Sequence, residues 1–184
     1  MTTLPHRPRR VLLTQGLRLA AGGLTLAAVP AWARSAETRS LAFVHTHTGE
    51  DIELPFARGD HYLPEALAAL NRFLRDHYSG EVGRIDPSLF DLLHRTRDVL
   101  GSREPFEVIS GYRAPATNER LRRQGGGGVA RRSLHMDGRA IDVRLPGARL
   151  GDLRDAAIAL QRGGVGYYER SRFVHLDTGR VRRW

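Results

Sequence analysis

Two short segments near the end of the chain, residues 139–145 and 172–177, alternate in side-chain character with a period of two, and this constrains the fold more than any other feature. Successive side chains of a strand point to opposite faces. Ile141, Val143 and Leu145 therefore share one face of the first segment, with Ala140, Asp142 and Arg144 opposite. In the second, Val174 and Leu176 share a face, with Phe173, His175 and Asp177 opposite. If the two strands are neighbours, one side of the sheet is apolar and closes a core. The other side gathers Asp142, His175 and Asp177, because directly opposed cross-strand Cβ atoms lie only about 4.5–5.5 Å apart. Such a sheet needs helices on its apolar face and carries a site on its polar one.

The rest of the chain supplies those helices. Residues 64–77 repeat apolar side chains at Leu67, Leu70, Phe73 and Leu74, and a second helix with Leu89, Leu92, Leu93 and Val99 follows the start signal Asp86-Pro87. Residues 41–47 and 51–54 alternate as strands about the turn-like Thr48-Gly49-Glu50, so a hairpin opens the domain. Residues 106–110 read as a strand, 111–115 as a loop and 117–123 as a short helix that stops at the glycine run 125–128, which implies a mobile loop. A helix over 150–161 and strands over 165–168 and 172–177 close the chain, with no internal repeat. This order predicts an α+β domain over residues 41–184, behind a short linker at 34–40. The expected fold is a small, mostly antiparallel sheet with helices packed on one face and a metal site on its polar side.

Residues 1–33 have a different character. Arg7, Arg9 and Arg10 run into an apolar, acid-free stretch that ends at Ala31-Trp32-Ala33, a small-x-small cleavage signal. The Arg9-Arg10 pair before Val11-Leu12-Leu13 fits a twin-arginine export signal, cleaved near Ala33, which makes the twin-arginine translocase a partner and the periplasm the destination. Arg18 divides the apolar run and leaves 19–29, well short of the ~20 residues of a membrane span, so no stable anchor is expected. The chain has no cysteine, hence neither a disulfide nor a thiolate ligand, and any metal site must use His and carboxylate. The net charge is +9 and every basic residue is Arg, which suits an anionic polymer such as envelope glycan or is plain solvated charge. No nucleic-acid-binding motif accompanies the charge, and the chain is expected to act as a monomer.

The segment richest in chemistry is Ser133-Leu134-His135-Met136-Asp137-Gly138-Arg139-Ala140-Ile141-Asp142, followed by Phe173-Val174-His175-Leu176-Asp177-Thr178-Gly179. Three ligands drawn from His and carboxylate leave a fourth position for water, the arrangement of catalytic rather than structural zinc. Zinc lowers the pKa of that water to ~7 and polarises a carbonyl. Gly138 lets the chain turn between loop and strand. Arg113, on the short loop Ser110-Gly111-Tyr112-Arg113-Ala114-Pro115, could stabilise an oxyanion or hold a substrate carboxylate near a metal; the plainer reading is a surface Arg after a turn.

The pattern Ser-x-His-x-x-Gly-x-Ala-x-Asp with a later strand His resembles the zinc D,D-peptidase family, which includes D-Ala-D-Ala carboxypeptidases and dipeptidases. It is most similar to the murein endopeptidase K branch. Ile109-Ser110-Gly111-Tyr112-Arg113, Gly164-Val165-Gly166-Tyr167-Tyr168 and Val181-Arg182-Arg183-Trp184 extend the likeness over about 41–184. The resemblance implies a hedgehog- or D,D-peptidase-like fold, one zinc on His135, Asp142 and His175, and a transition-state contact from Arg113. It also implies a peptidoglycan stem-peptide substrate, with L,D 3-3 cross-links favoured over D,D 4-3 links.

The chain departs from the wider family at the general base. Where the carboxypeptidases and dipeptidases have an acid three residues before the last His, this chain has Arg172. Asp177 faces the same way as His175 and could sit beside the metal-bound water, or it could orient a ligand His or pair with Thr178. Glu169 occupies the place of an acid in the distantly similar hedgehog signalling domains; its alternative is a solvated loop acid beside Arg170 and Arg172. The displaced acid also motivates a second function, a non-catalytic, metal-containing peptidoglycan-binding module. His45 and His47 could chelate from one strand face, but no carboxylate or third His stands at family spacing, so His45, His47, His61, His77 and His94 read as surface histidines. Tyr167 and Tyr168 could line the cleft, although alternation suggests that one packs and one shows.

Overall fold

The computed structural model describes residues 37–124 and 129–184, so the expected export signal at 1–33 and the glycine run at 125–128 lie outside the described residues. The elements are β1 (Thr38–His45), β2 (Asp51–Arg58), β3 (His61–Tyr62), α1 (Pro64–Phe73), α2 (Pro87–Val99), β4 (Phe106–Ser110), α3 (Pro115–Gln124), β5 (Ala140–Arg144), α4 (Leu150–Ala159), β6 (Gly164–Tyr168), β7 (Phe173–Asp177) and β8 (Arg182–Arg183). All strands join one sheet in the order β3-β2-β1-β4-β5-β7-β6-β8. The α+β class is as expected, but the sheet is larger and more mixed.

Two of the strand pairs are parallel, β1 with β4 and β6 with β8. The first follows from connectivity: between β1 and β4 the chain makes β2, β3 and two helices, long enough for a crossover that returns in the same direction. In the second, β7 forms a hairpin with β6 and the chain then returns along the far edge of β6 as β8. β3 and β8 are two residues each, too short to leave an alternation in the sequence.

The apolar face is sealed as the alternation requires. Ile141, Val143, Val174 and Leu176 join Leu70 of α1, Leu89 and Leu93 of α2, and Leu153 and Ala157 of α4 in the core. Each fully buried Leu, Ile, Val or Phe contributes about 1.5–3 kcal/mol. α3 adds nothing to this core; its buried positions are the polar Thr117 and Asn118. α2 begins where the sequence signals, with the Asp86 side chain accepting from Ser88 N–H at 3.0 Å, a cap worth about 1 kcal/mol.

Three expectations are corrected. α1 stops at Phe73 instead of running to His77, because the Asp76 carboxylate turns the chain by accepting from the backbone N–H of Tyr78 at 2.8 Å. β1 begins at Thr38, earlier than residue 41. His45 is not a surface histidine: it is 0% exposed, because strand parity puts it on the same side as the core residues Leu41 and Phe43. His47 and His61 are exposed.

Candidate metal centre

β5 and β7 are antiparallel neighbours with Asp142 directly opposite His175, so the convergence read from alternation is present. The polar side of the sheet is covered here: Ala140, Asp142, His175 and Asp177 are all buried. The cover comes from the loop after β4 and the turn before β5, tied to each other by Arg113 N–H donating to the His135 carbonyl at 3.1 Å.

That turn delivers His135. Met136 N–H donates to the Ser133 carbonyl at 3.0 Å and Arg139 N–H to that of Leu134 at 2.9 Å. Gly138 has φ +65°, and a Cβ there would lie 1.9 Å from the Arg84 carbonyl oxygen, so both the left-handed backbone and the close approach demand glycine. The Gly138 carbonyl in turn accepts from Asp86 N–H at 2.9 Å, anchoring the turn to the start of α2.

His135 Nε2, His175 Nδ1 and Asp142 Oδ1 meet at one point. The separations are 2.8 Å from His175 Nδ1 to Asp142 Oδ1, 3.3 Å from His135 Nε2 to the same oxygen, and 3.2 Å between the two ring nitrogens. Each imidazole is aimed by its other nitrogen. His135 Nδ1 lies 2.7 Å from the Gly111 carbonyl and His175 Nε2 lies 3.1 Å from Asp177 Oδ2, partners that only an N–H can satisfy. With a proton on each outer nitrogen, the two inner ones turn their lone pairs on a carboxylate, an arrangement that calls for a cation between them. These three residues form a group able to hold a metal ion.

The same demand for positive charge shows when protons take the place of an ion. Burial pushes Asp142 up, but the charge of His135 and the bonds from both imidazoles outweigh it and hold Asp142 well below the usual carboxylate range. Burial pushes His175 down, yet the bonds and charges of Asp142 and Asp177 raise it. The site favours positive charge at its centre.

Asp177 is 0% exposed and bonded on every side. Oδ1 accepts from Gly164 N–H at 3.1 Å, Gly179 N–H at 2.8 Å and Arg182 at 3.1 Å; Oδ2 accepts from Arg182 at 2.7 Å and faces His175. Glu169 is exposed in the turn between β6 and β7 and does not line the cavity at the metal centre. The Arg113 guanidinium does line it, 3.8 Å from Asp142 Oδ2, and donates to Ser110 Oγ at 3.3 Å and Asn118 Oδ1 at 3.4 Å.

The cavity has a volume of about 210 Å³. Besides the three candidate ligands and Arg113, its walls include Arg132, Tyr168, Phe173, Arg182 and Trp184. Tyr167 and Tyr168 are both half-buried, and Tyr168 is the one on the cavity. No role for Arg182 or Trp184 follows from alternation, since β8 holds only Arg182 and Arg183, too short to have a period, and Trp184 follows it.

A family profile described as "Peptidoglycan L,D-endopeptidase MepK" matches residues 33–184. Among curated proteins, the chain is 45% identical over 172 residues to the peptidoglycan L,D-endopeptidase MepK of Escherichia coli K12, covering 90% of this chain and 94% of that protein. It is 38% identical over 173 residues to the probable peptidoglycan L,D-endopeptidase MepK of Haemophilus influenzae, covering 90% and 92%. No solved structure matches.

Proposed function

This chain belongs to the peptidoglycan L,D-endopeptidase MepK family, and on that footing we propose that it is a zinc-dependent murein endopeptidase that opens peptide cross-links of peptidoglycan. The favoured bond is the L,D 3-3 link, with the D,D 4-3 link as a second substrate. One observation carries the reading: two imidazole lone pairs, each oriented by a bond on the far side of its ring, and a carboxylate oxygen meet at one site beside a cavity. The donor set of two His and one Asp fits zinc with an open coordination position, the catalytic rather than the structural arrangement.

Bound zinc supplies acidification of a water and polarisation of the scissile carbonyl. The remaining work belongs to the chain. His135 Nε2, Asp142 and His175 Nδ1 hold the ion. Arg113, kept in place by Ser110, Asn118 and its backbone bond to His135, presents a guanidinium to the oxyanion of the tetrahedral intermediate. Asp177 fixes the His175 tautomer and, as a buried acceptor with its lone pairs occupied, is better suited to positioning than to taking a proton. Glu169, exposed in the β6–β7 turn between the cavity residues Tyr168 and Phe173, is then the acid left to act as general base.

Residues 1–33 carry the protein to the periplasm through the twin-arginine translocase, where it acts as a monomer on stem peptides. No described helix is long and apolar enough to cross a membrane. The test is metal analysis of the purified protein together with muropeptide release from sacculi. About one zinc per chain, lost together with release in His175→Ala, is the expected result. Zinc-free protein that still releases muropeptides would sink the reading.

A further inference from the structure

The cavity beside the metal centre has one aromatic wall. Tyr168 and Phe173 are paired across β6 and β7 and stack with ring centroids 4.6 Å apart at 19°. Trp184 continues the wall: its Nε1–H donates to the Tyr168 hydroxyl at 3.0 Å, and its indole lies 5.3 Å from the His175 ring. The Arg182 guanidinium packs over the indole at 4.7 Å. Its backbone is bonded in both directions, Trp184 N–H to the Val165 carbonyl at 3.2 Å and Tyr167 N–H to the Trp184 carbonyl at 2.9 Å. The neighbouring strand makes room with Gly166, where a Cβ would sit 2.7 Å from the indole. Yet Trp184 is 50% exposed. A large ring so firmly placed, with an open face on the cavity, is built to be covered by something.

The cavity also offers one uncommitted cation. Arg113 faces Asp142 and Arg182 is bidentate on Asp177, whereas Arg132 is exposed and has no acidic partner among the described residues. Ring faces suit a saturated chain and an ammonium, and a guanidinium suits a carboxylate.

Resting on the endopeptidase reading above, we propose that Trp184, Tyr168 and Phe173 form the subsite for the residue that donates the scissile carbonyl, and that Arg132 binds the carboxylate at that residue's end. In a 3-3 link the donor is a diaminopimelate, whose side chain is a short run of methylenes ending in a carbon that bears an ammonium and a carboxylate. In a 4-3 link the donor is D-alanine, whose methyl has no chain to lie along the rings and no carboxylate for Arg132. The methylenes lie along the rings, the ammonium meets a ring face and the carboxylate meets Arg132. The wall thereby supplies the preference between the two linkages.

The test is steady-state kinetics of the zinc-loaded protein on purified 3-3 and 4-3 cross-linked muropeptide dimers, followed by mass spectrometry, with zinc content measured for every variant. Trp184→Ala is expected to raise KM for the 3-3 dimer about five- to tenfold, the worth of one aromatic contact, with kcat and zinc content held. Trp184→Phe restores most of the affinity. Arg132→Gln, at an exposed position that the fold does not need, raises the same KM by a similar factor. Unchanged KM in both variants overturns the subsite, as does a fall in kcat or zinc content without a change in KM, which would make Trp184 a support for His175 only. Wild-type protein that cleaves neither dimer overturns the endopeptidase reading itself, so the two failures are distinct.

Discussion

The outer nitrogens of His135 and His175 matter as much as the inner ones, because they decide where the lone pairs point. Asp177→Asn keeps the shape but replaces an acceptor that fixes the tautomer; zinc affinity is expected to fall about 10–100-fold, while the zinc-saturated variant turns over. Competition with a chromogenic chelator measures this. Glu169→Gln is expected to do the reverse, lowering kcat and leaving zinc affinity alone, and the pair of variants separates positioning from proton transfer. Arg113→Ala is expected to cost about 10²–10³ in kcat with zinc retained, the usual loss for one oxyanion donor. Asp142 and His175 were legible from alternation because they are opposed on neighbouring strands. His135 was not, since it lies in a turn with no period, and it came from the resemblance. Of the companions of Asp177, Gly179 closes a local turn two residues on, whereas Gly164 comes from the neighbouring strand, a proximity that no local pattern encodes. The burial of His45 was legible through its parity with Leu41 and Phe43.

At the scale of elements, the site depends on how one turn is seated. Gly138→Ala forces a left-handed residue, at about 1–2 kcal/mol, and drives a Cβ into the Arg84 carbonyl, so the segment between α1 and α2 must shift. A loss of about 3 kcal/mol or more in denaturant unfolding, together with weaker zinc binding, is expected because the same turn carries His135. Helix starts were readable where a chemical signal marked them, as Asp86-Pro87 does for α2. The end of α1 was not, because the stop is a side-chain bond from Asp76 rather than a Gly or Pro. The sheet was underestimated for a related reason: parallel pairing arises from crossover length, and two-residue strands leave no trace in hydropathy. The strand that places Trp184 on the cavity is one of these, so the aromatic wall could only be found in three dimensions.

For the whole molecule, acid attacks stability and metal loading separately. Burial opposes ionisation of Asp76, but the Thr117 hydroxyl and the backbone N–H groups of Ala114, Tyr78 and Ser79 outweigh it and lower its pKa; Asp86 is lowered in the same way by Thr178 and Ser88. Unfolded Asp titrates near 3.9, so the stability these groups add is fully present above about pH 4 and is lost as pH falls through their lower folded values. Unfolding midpoints measured against pH should fall below about pH 4, and Asp76→Asn should flatten that slope. Zinc is expected to leave at a higher pH than that, because the inner nitrogens must be neutral to bind it. The central claim is that one ion on His135, Asp142 and His175 drives hydrolysis of a peptidoglycan cross-link. Mass spectrometry of a purified 3-3 cross-linked muropeptide dimer, incubated with protein that is zinc-loaded, chelated, or chelated and reloaded, tests it most directly. Two tripeptide monomers, each ending in diaminopimelate, are expected from a tripeptide–tripeptide dimer in the first and third samples, and an intact dimer in the second. A dimer that stays whole with zinc restored, or one that is cut equally well after chelation, would contradict it.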